Sequence, residues 1–153
     1  LVFGAVEDDP EHEFHALASA VLIQKLAARL NTQREAAGLP RVDFRIGVNS
    51  GRMLAGNLGS DERMEYTVVG DAVNLASRLA SEAKSGQIII REELFMNPGL
   101  YPRVCGKPHK TIAIRGKSHP VTTYNVFDIH TSYQATLERN LEEVVASRSK
   151  GCE

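Results

Sequence analysis

Apolar residues recur at a helical period from Phe14 to Leu30: Phe14, Leu17, Val21, Leu22, Leu26 and Leu30 fall on one side. That spacing predicts an amphipathic helix packed on a sheet. Asp9 suits its cap and Pro10 its first position, and Gly38-Leu39-Pro40 ends it after about Ala37. The period then drops to two. Val42, Phe44, Ile46 and Val48 alternate with Asp43, Arg45, Gly47 and Asn49, the pattern of a half-buried strand. Ser50-Gly51 is expected to turn this strand into a second, Arg52 to Asn57, as a hairpin. Gly56 and Gly59 bracket an expected loop running through Arg63, and Glu65 to Val69 reads as the third strand.

A second helix is predicted from Asp71 to about Lys84, with Val73, Ala76, Leu79 and Ala80 on its core side. Ser85-Gly86 ends it, Gln87 to Ile90 is a short buried strand, and Arg91 to Met96 is a brief helix stopped by Asn97-Pro98-Gly99. Two further strands, Lys110 to Ile114 and Val121 to Phe127, flank Arg115-Gly116-Lys117-Ser118-His119-Pro120. Beyond His130 the chain turns polar, and Tyr133 to Ser147 carries a thin stripe of Leu137, Leu141, Val144 and Val145. Residues 1–128 are therefore read as one α/β domain and 129–153 as a polar helical extension or tail. The strand-like start, Leu1-Val2-Phe3-Gly4-Ala5, reads as the middle of a longer chain.

Composition narrows the function. With 18 basic and 19 acidic residues the net charge is −1, which removes the electrostatic case for nucleic acid or an anionic membrane. No apolar run is long enough to span a bilayer, so any membrane anchor is expected outside this segment. Cys105 and Cys152 make neither a disulfide framework nor a zinc pair, which points to a cytoplasmic domain.

Three stretches invite chemistry. Glu7, Asp8, Asp9, Glu11 and Glu13, with His12 and His15, resemble a metal cluster, but acids at a helix start need no ligand to explain them. Gly51 and Gly56 have the spacing of a phosphate loop, yet Asn57-Leu58 stands where Lys and Ser or Thr belong. The third is the joint after Val69, where Gly70-Asp71 opens a helix with Asn74 and Arg78 four residues apart on one face. An amide and a guanidinium near a helix N-terminus suit an anion. An N-cap Asp71 and a solvated Arg78 account for the same spacing. Arg115 and Lys117 around Gly116 fit either a phosphate or a solvated turn.

Arg45–Ser60 (RIGVNSGRMLAGNLGS), Arg63 and Tyr66–Leu79 (YTVVGDAVNLASRL) resemble the catalytic domain of class III nucleotidyl cyclases, and Ile114–Val126 (IRGKSHPVTTYNV) is similar to that family's closing hairpin. The resemblance covers about residues 1 to 127. It implies a ferredoxin-like α+β sandwich, with a mostly antiparallel central sheet flanked by helices and one or more N-terminal strands missing. It also implies a head-to-tail homodimer, or a cyclase-domain heterodimer, with active sites at the interface.

Residue by residue, the resemblance puts Thr67 where the purine is read, with the backbone of Val68 beside the base. Asn74 matches the residue that orients the ribose, and Arg78 the one that stabilises phosphate charge as the 3′-hydroxyl attacks. Arg115 stands where many members have a lysine for the terminal phosphates, and Lys117 is the alternative contact. The two metal-binding aspartates and the adenine-selecting lysine belong upstream of Leu1. The resemblance therefore implies an adenylate cyclase acting on ATP with two Mg²⁺ or Mn²⁺ ions, and a 153-residue chain that is inactive alone. A guanylate cyclase, or a catalytically silent regulatory or dimerisation domain, is the alternative; a diguanylate cyclase lacks its hairpin motif here.

Overall fold

In a computed structural model of the chain, residues 1–5, 7–60, 63–113 and 120–149 are described. Ten elements follow in order: α1 (His12–Ala36), β1 (Ile46–Gly47), β2 (Leu54–Ser60), β3 (Arg63–Val69), α2 (Asp71–Glu82), β4 (Ile88–Arg91), α3 (Glu92–Phe95), β5 (Val104–Ile112), β6 (Val121–Ile129) and α4 (Thr131–Ser149). A mixed sheet runs β1-β4-β6-β5, with β1 parallel to β4 and the other pairs antiparallel; β2 and β3 form a separate antiparallel pair. The architecture is α+β with helices flanking the sheet, as the resemblance implied.

β4 organises the core. Ile88, Ile89 and Ile90 are all buried, and each such side chain contributes roughly 1.5–3 kcal/mol. Strand alternation sends them to opposite faces. Ile88 and Ile90 join Phe14 and Leu17 of α1, whereas Ile89 joins Leu75 and Leu79 of α2. The sheet is thus covered by α1 on one face and α2 on the other.

The predicted hairpin between 42–49 and 52–57 does not form. Val48 N–H donates to the carbonyl of Ile89, and β1 pairs with Ile88 and Ile89 instead. β2 finds a seven-residue partner in β3. Local alternation shows that a stretch is extended but not which neighbour it pairs with, and here burial of the isoleucines decides. The expected glycine-bracketed loop from Gly56 to Arg63 is likewise mostly strand, with β2 reaching Ser60 and β3 starting at Arg63.

α1 begins at His12, later than Asp9-Pro10 suggests. The Asp9 carboxylate accepts from Glu11 N–H at 2.9 Å and its carbonyl from His12 N–H, closing a turn just before the helix. Of the predicted stripe, Phe14, Leu17 and Val21 are buried; further along, the buried positions are Ala27 and Asn31 instead of Leu26 and Leu30. Asn31 bonds both the N–H and the carbonyl of Val42, at 2.8 and 2.9 Å, so a side-chain amide stands in for a strand neighbour. α4 is docked by Leu137 and Leu141, both buried, and by Tyr133 against Phe14.

Candidate active site

A groove of about 840 Å³ runs along the open edge of β1 between α1 and α2. Leu1–Ala5, Phe44–Met53 and the α2 residues Ala72, Val73, Ala76, Ser77 and Ala80 line it. Val68, half-buried on β3 opposite Ala55, faces the groove. Thr67, opposite Gly56 and also half-buried, lies on the other face of the same strand.

The strand reaches α2 through Gly70, whose φ of +155° is a conformation that side chains avoid. Its carbonyl accepts from the N–H groups of Val73 at 3.1 Å and Asn74 at 3.2 Å, closing the first turn. Gly70, not Asp71, is therefore the N-cap, and Asp71 is the first helical residue with no side-chain cap to the helix. α2 is amphipathic in three sectors. Leu75 and Leu79 are buried against Ile89 and Ile112, the alanines face the groove, and Asn74 and Arg78 are exposed to solvent. The predicted core side is thus split, because Val73, Ala76 and Ala80 are only half-buried.

Asn49 braces this unit, a role its place in an alternating pattern did not signal. Its amide donates to the carbonyl of Ala72 at 3.0 Å and accepts from Arg91 Nε at 2.9 Å. Arg91 also pairs with Glu93. On the far side of α2, Lys110 of β5 pairs with Glu82 at 2.6 Å, and that contact holds the Glu82 carboxyl below its usual range. Arg115 and Lys117 lie outside the described residues. The residues that flank them, Ile112 and Val121, both pack with the Leu75–Leu79 cluster.

The structure thus brings Thr67, Val68, Asn74 and Arg78 onto one strand-turn-helix unit. A divalent-metal centre is not built from the same material: among the described residues no three His, Cys, Asp or Glu side chains converge. His15 of the acidic stretch instead pairs with Asp9 at 2.8 Å, which lowers the Asp9 pKa.

The model of the adenylate and guanylate cyclase catalytic domain matches residues 2–127. The chain belongs to that family. Adenylate cyclase 1 of Rhizobium meliloti is 28% identical over 135 residues, covering 88% of this chain but 20% of its own length. The guanylyl cyclase Cya2 superposes with a TM-score of 0.76 at 31% identity, over 86% of this chain and 66% of its own. The adenylyl cyclase CyaB from P. aeruginosa gives 0.75 at 32% identity, over 84% and 66%. This cyclase chain therefore spans about a fifth of that curated relative and two-thirds of the two solved domains. Among its described residues no helix is long and apolar enough to cross a membrane.

Proposed function

We propose that this chain is the nucleotide-contacting portion of an adenylate cyclase that converts ATP to 3′,5′-cyclic AMP and pyrophosphate. In the reaction the 3′-hydroxyl loses its proton and its oxygen forms a bond to the α-phosphorus. The bond from that phosphorus to the bridging oxygen breaks, and pyrophosphate leaves. The observation that carries the reading is the exposed Asn74–Arg78 face on a helix that starts directly after the Thr67–Val68 strand.

Each residue has a part suited to its chemistry. The Thr67 hydroxyl can give or accept a hydrogen bond, which fits the edge of adenine, with the Val68 backbone next to the ring. Asn74 holds the ribose so that its 3′-oxygen points at phosphorus. Arg78 neutralises charge that builds on the phosphate, a role in which one donor contributes about 3–4 kcal/mol. Arg115 or Lys117 grips the terminal phosphates; Arg would do so as a fork and Lys as a point charge.

Among the described residues no set of donors fits Mg²⁺ or Mn²⁺, and the ligands are assigned to a segment outside residues 1–153. The open β1 edge and its apolar groove support a further strand there. A head-to-tail second copy is supported by Leu54 and Val69, which pair across β2 and β3 and are 80% and 53% exposed. On this account the 153-residue chain is inactive alone, and cyclic AMP formed by it with Mn²⁺ would refute that.

Guanylate cyclase is the second reading, favoured by the likeness to Cya2. Competition between ATP and GTP in the intact protein decides it: cyclic AMP as the main product supports the first, cyclic GMP the second, and neither product supports a silent domain.

A further inference from the structure

β5 departs from regular pairing where it passes α2. Register moves from Pro108–Tyr124 to Thr111–Thr122, so His109 and Lys110 together face Thr123. Such a bulge re-aims a side chain. Thr123 is fully buried, and its hydroxyl donates to the Lys110 carbonyl at 2.6 Å. With its backbone held, Lys110 reaches across to the Glu82 carboxylate on α2 at 2.6 Å. Ile112, two residues on, packs with Leu75 and Leu79, so an apolar contact backs the ion pair.

Glu82 stands four residues after Arg78, and side chains at that spacing share a helix face. The carboxylate feels Lys110 most, then His109 and Arg78 among the charges around it. Among the described residues, Arg78 has no hydrogen-bond or ion-pair partner. We propose that Lys110 is a positioning residue: by occupying Glu82, it keeps that carboxylate off Arg78 and leaves the guanidinium open to a nucleotide phosphate. The proposal rests on the assignment of Arg78 above, and Lys110 itself touches no ligand.

Calorimetric binding of inorganic tripolyphosphate to the full-length protein tests it in four forms: wild type, Lys110→Met, Glu82→Gln and the double variant. Lys110→Met is expected to weaken binding about two- to threefold, the scale of one helix-spaced ion pair, and Glu82→Gln to restore it. In an Arg78→Met background, Lys110→Met is expected to have no further effect. Unchanged affinity in Lys110→Met, or a loss that Glu82→Gln does not restore, overturns the proposal. So does a loss that persists without Arg78, the sign of a long-range field alone, or a wild type that binds no tripolyphosphate. Cyclic nucleotide production is measured separately, so a wild type that binds but makes no product refutes the cyclase reading while the binding series still decides this one.

Discussion

A Cβ on Gly47 would overlap the carbonyl oxygen of Ala76 and the backbone nitrogen of Ala80. β1 and α2 therefore meet backbone to backbone, and this contact sets the height of the helix that carries Asn74 and Arg78. Gly47→Ala must push α2 outward. Overpacking of this kind costs about 1–3 kcal/mol, and chemical denaturation is expected to show a loss in that range. The displaced helix should also lower turnover, whereas Gly56→Ala, with open space around it in the single chain, should leave stability nearly unchanged.

Asn74 and Arg78 are exposed, so their truncation should leave stability within about 0.5 kcal/mol of wild type. Turnover should behave differently. Loss of one donor aimed at transition-state charge lowers kcat by roughly 10²–10³-fold, the expected result for Arg78→Ala in steady-state assays of the intact protein. Normal melting with collapsed turnover separates this from a folding defect.

Much of this was legible in the chain. Helix period gave α1 and α2, the isoleucine run gave the central strand, and the Tyr66–Leu79 block gave the family. Pairing was the part that failed. Residues 42–49 and 52–57 look like neighbours joined by Ser50-Gly51, yet they belong to different sheets, because alternation carries no information about partners. The braces were also hidden. Asn49, Arg91, Lys110 and Glu82 are ordinary polar residues whose roles depend on contacts 23 to 42 positions apart for Asn49, and on a bulge for Lys110.

The Arg103 guanidinium lies 3.6 Å over the Phe14 ring and 4.9 Å from that of Tyr133, and it pairs with Glu11 at 2.6 Å. One side chain thus joins the start of α1 to α4. Stacking of a largely desolvated cation on aromatic rings is worth up to about 2 kcal/mol. Arg103→Met should accordingly speed amide exchange in α4 while leaving β4 protected, and Arg103→Lys should rescue little, because an ammonium cannot stack as a plane.

The same contact predicts a pH dependence. Arg103 lowers the Glu11 pKa from its ordinary 4.5 in the folded state. A depressed carboxylate stabilises the fold above its unfolded pKa, and that contribution fades as pH falls through the lower folded value. Denaturation midpoints followed from neutral into acid should drop more steeply below about that ordinary value in wild type than in Arg103→Met. Equal slopes would mean that the pair does not report on folding.

Under the proposed function, ATP is cyclised at the Asn74–Arg78 face of α2. Production of cyclic AMP from ATP by the intact protein, compared between wild type and Arg78→Ala with folding verified in both, tests it most directly. Cyclic AMP is expected from the wild type, with a loss of roughly 10²-fold or more in the variant. Equal turnover in the two proteins would contradict it.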